Sequence, residues 1–370
     1  MNIHLMKQID AVLGRLLTSI LPPASPPTST GSPETLLIIR PGGIGDAVLL
    51  APTLNALKRQ FPKASLTVLA EKRNADILQL VPDVDLVLRY DVLREFQKVF
   101  RTRYDVIIDT EQYHRLSAVV SRILFAGKRI GFATNERARL FDAPVPYSHD
   151  DYEVESFYHL LTPLGIRRSF SSETPFLTVP LSAREKVDTL LAPCGKDRFV
   201  VLFPGASIPE RRWGEDKFTQ VAIGLADKGY AIVVVGGVED AACGEAIVQN
   251  VSGVNLAGKT TLTETAAVLE RAEVLISGDS GVLHIGVGLG VPTVSLFGPG
   301  IARKWGPKGS GNVILNKSLS CSPCTRFGST KPCQNGGVCL HAITAQDVLA
   351  AVHSLLQCSH SYPARPRATA

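Results

Sequence analysis

Strand-like and helix-like segments alternate along this chain in two series, and this alternation constrains its fold more than any other feature. The first series has strand patterns at residues 36–40, 65–70 and 106–109 and helix patterns at 47–60 and 74–80. The second has strand patterns at 199–203, 231–235 and 274–276 and helix patterns at 215–228, 241–249 and 263–271. Such alternation is typical of parallel βαβ units. The sequence therefore predicts two α/β domains with doubly wound sheets.

The length and composition fit two globular domains of ordinary size. The chain has 370 residues, of which 45% are hydrophobic, and its formal net charge is only +5. This length exceeds a single typical core, and so small a charge does not indicate a nucleic-acid partner. We expect an N-terminal domain over residues 36–180, a C-terminal domain over 181–357 and a tail over 358–370.

Residues 1–35 are predicted to form an amphipathic helix followed by a linker rich in proline and serine. Apolar residues recur at helical spacing as far as Ile20. Arg15 interrupts the apolar run, which argues against a secretory signal peptide, and no stretch approaches the roughly 20 apolar residues of a membrane-spanning helix. A cytoplasmic protein is expected. Three states of the helix stay open: docked on its own domain, disordered, or lying on a membrane surface.

Residues 276–299 contain a strand, a turn, a helix and a second strand, and the turn is suited to an anion. Asp279, Ser280 and Gly281 follow the strand, so the next amides would lie at a helix N-terminus. Unpaired amides and the positive end of the helix dipole favour a phosphate. His284 would lie one turn further along the same face. The alternative to a phosphate site is an ordinary capped helix that only packs.

A second glycine-rich turn, PGGIGD at residues 41–46, joins the first strand to the first helix. Its spacing differs from the G-x-G-x-x-G dinucleotide fingerprint, which argues against an oxidoreductase. Asp46 at this helix N-terminus has two interpretations. It either caps the helix or accepts a proton from a substrate hydroxyl.

Two loops of the second domain follow strand ends, where open α/β sheets bind ligands. The first loop, residues 204–213, carries Ser207 and the adjacent Arg211 and Arg212. The two arginines could clamp a diphosphate or simply be solvated. The second loop carries Glu239, which could bind ribose hydroxyls or belong to a polar turn before a helix.

In this order and spacing, the motifs resemble glycosyltransferase family 9, the ADP-heptose:lipopolysaccharide heptosyltransferases, over nearly all of residues 36–345. The matching segments are RPGGIGDAVLLAPTLNALK at 40–58, FPGASIPERRW at 203–213, VVVGGVED at 233–240, LAGKTTLTETAAVL at 256–269 and GDSGVLHIGVGLGVPTVSLFGP at 278–299. The resemblance implies an α/β fold of the GT-B class, with two Rossmann-like doubly wound domains facing a central cleft. The acceptor would bind the N-terminal domain and the nucleotide sugar the C-terminal one.

The resemblance also implies roles for individual residues. Asp46 would be the general base, and Arg211, where the family usually has a lysine, would balance charge on the departing diphosphate. The residues implied in binding the donor nucleotide or diphosphate are Ser207, Arg212, Glu239, Asp279, Ser280, Gly281 and His284. Those implied in binding the acceptor are Gly43, Gly45, Arg115 and Arg122.

The implied reaction is an inverting transfer of heptose from ADP-heptose to a lipid-linked saccharide of the lipopolysaccharide core. It would take place at the cytoplasmic face of the inner membrane, with peripheral contact to that membrane, and would need no metal or other cofactor for catalysis. Two other hypotheses stay open. The first is a related GT-B transferase that uses another nucleotide sugar, and the second is a nucleotide-binding relative without catalysis.

Four cysteines, Cys321, Cys324, Cys333 and Cys339, form a C-x2-C-x8-C-x5-C pattern. In a cytosolic protein this pattern could bind a structural zinc ion, form labile disulfides or remain as reduced thiols. The resemblance extends to a cysteine-bearing loop near this position and so favours a structural clamp.

Overall fold

The computed structural model describes residues 3–25, 31–167, 174–195 and 198–359, and the chain divides into two compact units after residue 171. Each unit is built on a parallel six-stranded sheet with α-helices between successive strands, except that a 3-10 turn joins β5 to β6 in the first unit. The predicted fold class, two Rossmann-like domains of the GT-B type, is confirmed. Residues 26–30 of the expected linker and 360–370 of the expected tail lie outside the described residues.

The N-terminal unit contains the first six strands and seven α-helices of the described chain. Its strands are β1 (Thr35–Ile39), β2 (Ser65–Ala70), β3 (Leu86–Arg89), β4 (Tyr104–Asp109), β5 (Ala126–Phe132) and β6 (Ala143–Val145). Its helices are α1 (Ile3–Ile9), α2 (Arg15–Ile20), α3 (Ile44–Gln60), α4 (Lys72–Ala75), α5 (Leu93–Phe100), α6 (Leu116–Ile123) and α7 (Glu153–His159). A π-helical turn, Asp10–Gly14, joins α1 to α2, and 3-10 turns span Asp76–Leu80, Glu136–Leu140 and Thr162–Leu164.

The sheet of this unit has the order β3-β2-β1-β4-β5-β6, with β1 between β2 and β4. Strands β1 and β4 are in register, with Leu36 opposite Val106. Buried apolar side chains, including Leu37, Ile39 and Ile107, form a core on this sheet. From β1 the chain continues to β2 and β3 on one side of the sheet, and from β4 it continues to β5 and β6 on the other side. The carboxyl ends of β1 and β4 therefore border the crevice where such sheets bind ligands.

The C-terminal unit contains the other six described strands and eight α-helices. Its strands are β7 (Phe199–Phe203), β8 (Ala231–Val234), β9 (Gly253–Asn255), β10 (Leu275–Gly278), β11 (Thr293–Leu296) and β12 (Asn312–Leu315). Its helices are α8 (Leu181–Leu191), α9 (Glu215–Ala226), α10 (Ala241–Val248), α11 (Leu262–Glu270), α12 (Gly281–Gly288), α13 (Ala302–Trp305), α14 (Val338–His341) and α15 (Ala345–Ser359). Short 3-10 turns span Ala192–Cys194, Pro209–Arg211 and Val238–Asp240.

The second sheet has the order β12-β11-β10-β7-β8-β9, which is the same winding as in the first unit. Its core includes Trp213, whose ring nitrogen donates a 3.0 Å hydrogen bond to the carbonyl of Ile343. This bond fixes the end of the loop that follows β7. From β7 the chain continues to β8 and β9 on one side of the sheet, and from β10 it continues to β11 and β12 on the other side. The crevice of this unit therefore lies at the carboxyl ends of β7 and β10.

Within the described ranges, no helix has both the length and the hydropathy needed to cross a membrane.

Candidate functional site

The predicted phosphate-binding turn lies at the carboxyl end of β10 and opens α12. Ser280 is the N-cap of this helix, and its hydroxyl accepts a 3.1 Å hydrogen bond from the amide of Leu283. A second bond, 2.8 Å long, joins Ser280 Oγ to Ser277 Oγ. Ser280 is therefore a cap, as one of the two interpretations expected, while Gly281 supplies the first amide of the helix. Amides at such positions have no acceptor within their helix and point outward along its axis.

The loop after β7 reaches the same end of the sheet. Strands β7 and β10 are paired in register, with Phe203 opposite Ser277. The backbone of Arg211 passes so close to Gly278 that a Cβ there would lie 3.3 Å from the Arg211 carbonyl oxygen. The guanidinium of Arg211 then forms an ion pair with Asp279, with Nη1 and Oδ2 3.3 Å apart. The structure thus brings together two predicted residues that are far apart in sequence.

His284 lies one turn into α12 and is almost completely buried, with 3% of its surface exposed. Burial and the nearby charge of Arg211 lower its pKa from 6.5 to about 4, although the carboxylate of Asp279 acts in the opposite direction. The imidazole is therefore neutral at neutral pH. A neutral ring carries one N–H donor and can bind a phosphate oxygen without needing a positive charge.

Two buried nitrogen atoms at this site, His284 Nδ1 and Arg211 Nε, have no hydrogen-bond partner among the described residues. An unsatisfied buried polar group costs about 1–3 kcal/mol, and native structures contain few of them. Here both lie beside the N-terminus of α12 and near a guanidinium group. Two unsatisfied nitrogen atoms beside outward-facing helix amides indicate a site for an anion such as a diphosphate.

Arg212 is held by a different carboxylate. Its Nη2 lies 3.1 Å from Oδ1 of Asp240, a buried residue that also accepts a 3.1 Å hydrogen bond from the amide of Gly237. A Cβ at Gly205 or Gly236 would collide with the Asp240 carboxylate, so both positions require glycine. Asp240 follows Glu239 at the strand end where a carboxylate often meets ribose hydroxyls, but the resemblance assigns a donor role to Glu239 only. The structure shows that Asp240 organises the site.

The remaining predicted donor residues are more accessible. Glu239 is exposed in the 3-10 turn after β8, and its carboxylate lies over the backbone of Gly237. Ser207 is exposed in the loop after β7. Both side chains border the same strand ends as Arg212 and are free to meet a ligand from solvent.

The glycine-rich turn of the N-terminal unit is fixed by residues that follow β2. The amide of Gly42 donates a 3.0 Å hydrogen bond to Glu71, and the Asn74 amide group donates to the carbonyls of Arg40 and Gly42 at 3.2 and 3.1 Å. Gly42 has a φ of +104°, a conformation that an L side chain rarely adopts. The path of the chain into α3 is therefore determined before any ligand binds.

Helix α3 begins at Ile44, three positions earlier than its apolar pattern predicts, and Gly43 is its N-cap. Asp46 consequently lies inside the first turn and is not the N-cap residue. Its Oδ2 lies beside the turn, 3.4 Å from the position of a Cβ on Gly43. A carboxylate here is stabilised by the helix dipole and stands at the carboxyl end of β1. Gly45 is the second residue of α3, directly before Asp46.

A buried network of charged and polar groups lies at the same strand ends. Arg137 pairs with Asp109, with Nη2 and Oδ2 2.5 Å apart, and neither side chain is exposed. Arg40 is also buried, 3.6 Å from Glu111. Burial and the nearby carboxylates of Glu153 and Asp46 raise the pKa of Tyr147. The members of this network come from separate loops, and no local motif in the sequence unites them.

Arg115 and Arg122 were predicted to bind the acceptor, but the structure shows other contacts for them. Arg115 is buried, and its Nε donates a 2.6 Å hydrogen bond to Glu136. Arg122 donates to the carbonyls of Pro22 and Pro23 at 3.0 and 3.1 Å. Both arginines are thus engaged with the surroundings of the N-terminal helical segment, and their acceptor role remains a prediction.

Three of the four clustered cysteines lie in the loop before α14, and the fourth lies within that helix. In the part of the chain that the structure covers, no group of three or more His, Cys, Asp or Glu side chains is placed to hold a metal ion. Cys321, Cys324 and Cys333 are exposed free thiols, whereas Cys339 is buried in α14. Burial raises the pKa of Cys324 and Cys339, and the neighbouring thiols add to both shifts. The zinc, disulfide and reduced-thiol interpretations of this cluster, and its role as a structural clamp, remain predictions.

Comparison with known proteins identifies the family. The sequence model of glycosyltransferase family 9 (heptosyltransferase) matches residues 92–334. Lipopolysaccharide heptosyltransferase 3 of Escherichia coli (strain K12) is 27% identical over 337 residues, which cover 84% of this chain and 95% of that protein. Lipooligosaccharide heptosyltransferase 2 of Haemophilus influenzae is 26% identical over 295 residues, covering 71% and 83%.

Solved structures have the same fold. A family 9 glycosyl transferase from Veillonella parvula superposes with a TM-score of 0.74 at 20% identity, over 88% of this chain and 97% of the other. The ADP-heptose lipopolysaccharide heptosyltransferase II of E. coli gives 0.73 at 21% identity, over 88% and 99%. The family sequence model covers more than half of the chain. The chain therefore belongs to glycosyltransferase family 9, the heptosyltransferase family, as its motifs predict.

Proposed function

We propose that this enzyme transfers a heptose from ADP-heptose to a lipid-linked saccharide of the lipopolysaccharide core, with inversion at the anomeric carbon. The observation that carries the proposal is the anion site at α12, where two buried nitrogen atoms lack partners next to a helix N-terminus. The relatives described above are named lipopolysaccharide or lipooligosaccharide heptosyltransferases. Synthesis of such a glycan would occur at the cytoplasmic face of the inner membrane.

The C-terminal unit binds the donor in this proposal. The diphosphate lies against the first amides of α12, with His284 and Arg211 donating to its oxygens and Arg212 close to the same strand ends. Glu239 accepts hydrogen bonds from the ribose hydroxyls, and Ser207 bounds the site on the loop after β7. Arg211 is already oriented by its ion pair with Asp279, so little reorganisation is needed when the ligand arrives.

The N-terminal unit binds the acceptor beside Gly43 and Gly45. Asp46 accepts the proton of the acceptor hydroxyl as its oxygen forms a bond to the anomeric carbon. The bond between that carbon and the diphosphate oxygen breaks, and its electron pair leaves with ADP. Because the nucleophile and the leaving group occupy opposite faces of the sugar, one such step inverts the configuration.

Charge on the departing diphosphate is balanced by protein groups in this scheme. The helix dipole, Arg211 and Arg212 supply positive potential where negative charge develops. An arginine at position 211 in place of the family's usual lysine offers a planar pair of donors to two phosphate oxygens. No metal ion has a required role in these steps.

A panel of donors tests the proposal. The purified protein is incubated with a lipopolysaccharide-core acceptor and, separately, with ADP-heptose, ADP-glucose, UDP-glucose or GDP-mannose, and products are measured by mass spectrometry. We expect a product heavier by one heptose with ADP-heptose, and at least roughly hundredfold slower transfer from the other donors. A faster reaction with another nucleotide sugar would identify that compound, and not ADP-heptose, as the donor. ADP binding by calorimetry without any product would favour a non-catalytic relative.

A further inference from the structure

The N-terminal helical segment, α1 and α2 with the π-helical turn between them, docks on its unit through a side that carries small and polar residues together with Leu17, which packs against the apolar cluster around Leu140. Asp10, Gly14 and Thr18 recur at every fourth position and are buried. The Asp10 carboxylate accepts hydrogen bonds from the amides of Arg115 and Leu116, at 2.7 and 2.8 Å. A carboxylate inserted at the start of α6 holds the segment there, because helix N-terminal amides need acceptors.

The opposite side of this segment is apolar and faces outward. Val12, Leu16 and Ile20 are 74%, 55% and 67% exposed, and Leu13 is 42% exposed. Their spacing of three or four residues forms a continuous stripe along the helix. An amphipathic helix that only stabilised its own domain would bury this stripe and expose the polar side. Contiguous exposed apolar surface of this kind marks a contact with a partner or a membrane.

The charges of the segment indicate which surface it meets. Asp10 is the only acidic residue in the first 25 positions, and it is buried under the helix. Arg15 stands next to the stripe with 70% of its side chain exposed and its Nε 3.5 Å from the carboxylate of Glu136, and Lys7 lies two turns before it. An apolar stripe flanked by cations is the pattern of helices that lie in the interface of an anionic membrane.

The end of the segment is fastened so that the stripe keeps its orientation. Arg139 donates 2.9 Å hydrogen bonds to the carbonyls of Thr18 and Ser19, which are among the last carbonyls of α2. Arg122 binds the next carbonyls, those of Pro22 and Pro23. The segment is therefore tied to the N-terminal unit at its middle, through Asp10, and at its C-terminal end.

We propose that this segment anchors the protein to the surface of an anionic lipid bilayer, with Val12, Leu13, Leu16 and Ile20 inserted at the level of the upper acyl chains and Arg15 at the headgroups. The inference deepens the proposed function, because an enzyme with a lipid-linked acceptor meets its substrate only at a membrane surface. The anchor is built into the unit that we assign to the acceptor.

Flotation with vesicles of stated composition tests the anchor. The full chain is mixed with vesicles of phosphatidylethanolamine and phosphatidylglycerol, or of phosphatidylcholine alone. We expect binding to the anionic vesicles that weakens with salt, and a partition coefficient at least roughly tenfold lower for the variant Val12→Gln/Leu16→Gln/Ile20→Gln. Glutamine is a good helix former, so the helix is retained. The variant Arg15→Gln should lose part of the preference for anionic lipid.

Leu93→Gln is the matched control, because Leu93 is 70% exposed in the same unit but lies outside the segment. It should bind vesicles like the wild type. Transfer to a soluble core saccharide without its lipid should be unchanged in the triple variant. Equal flotation of the triple variant and the wild type would overturn the proposal. Sedimentation that shows a dimer dissociated by the same substitutions would assign the stripe to a second copy instead.

Failure of the anchor and failure of the proposed function give different results. If the anchor is wrong, flotation is lost or insensitive to the substitutions while transfer from ADP-heptose persists. If the proposed function is wrong, no donor reacts even though the anionic vesicles still bind the protein. Melting temperatures of the variants within about 2 °C of the wild type would establish that each is folded.

Discussion

At the scale of single residues, the site combines groups that are held by the protein with groups that are left without partners. Asp279 and Asp240 orient Arg211 and Arg212 through ion pairs. His284 is kept neutral by burial. Such a set can bind the negative charge of a diphosphate without a large rearrangement, since its cations are already positioned.

The proposed base is tested by Asp46→Asn. The amide has nearly the same shape as the carboxylate but cannot take up the proton of the acceptor hydroxyl, so kcat should fall by roughly 10²–10⁴. The dissociation constant of ADP, measured by calorimetry, should stay within about twofold. Asp76→Asn is a suitable control, because Asp76 is an exposed acid at the start of another helical turn in the same unit. Unchanged turnover of Asp46→Asn would remove the base from the mechanism.

Buried His284 predicts a pH dependence of stability. Its pKa is 6.5 in an exposed state and about 4 in the folded unit. The unfolded chain therefore binds the proton more readily, and the free energy of unfolding falls as the pH decreases from 6.5 to 4. Between pH 7 and pH 4 the wild type should lose about 3 kcal/mol more than His284→Gln.

Urea unfolding followed by tryptophan fluorescence measures this difference. Both tryptophans, Trp213 and Trp305, lie in the C-terminal unit, so the signal reports on the unit that contains His284. The exposed His353 provides the control His353→Gln, which should behave like the wild type. Parallel pH profiles for wild type and His284→Gln would mean that the ring is not held neutral by burial.

At the scale of elements, the strands that are runs of apolar residues were predictable, and a strand that carries charged residues was not. Strands β1, β2, β7 and β8 are runs of buried apolar residues and match the predicted segments to within one residue. Strand β5, AGKRIGF, contains two cations and was missed. In the structure Lys128 donates to the carbonyl of Pro163, and Arg129 donates to that of Ser121. These distant partners satisfy the charges, and no local pattern indicates them.

The N-terminal segment shows a similar limit. Its helical periodicity is evident in the sequence, but the periodicity does not reveal which side docks. Burial of the side with Asp10 depends on the amides at the start of α6, about a hundred residues away. The pairing of Arg211 with Asp279 is likewise long-range, so the sequence indicates each residue in its own loop but not the contact between them.

Removal of the Asp10 carboxylate should release the segment. Asp10→Ala leaves the buried amides of Arg115 and Leu116 without their acceptor, each at a cost of about 1–3 kcal/mol. We expect hydrogen exchange of the amides in residues 3–20 to accelerate at least roughly tenfold, with ADP affinity unchanged. Asp10→Asn keeps one acceptor oxygen and should give a smaller effect. Equal exchange in wild type and Asp10→Ala would show that the segment is held by other contacts.

At the scale of the whole molecule, two sheets with the same strand order carry different chemistry at their carboxyl ends. The first ends in Asp46 and a buried network around Asp109 and Arg137. The second ends in a helix N-terminus with His284 and Arg211. The fold alone therefore does not assign the substrates. The difference between the side chains at the two sets of strand ends is the reason why we propose one unit for the acceptor and the other for the donor.

The central claim is that an acceptor hydroxyl displaces ADP from the anomeric carbon in one step. The most direct test is the anomeric configuration of the product, determined by NMR spectroscopy after reaction of the wild-type protein with ADP-heptose and the core acceptor. Single displacement predicts a heptoside whose configuration is opposite to that of the donor. A heptoside that retains the donor configuration would contradict the claim, because two displacements would then be required.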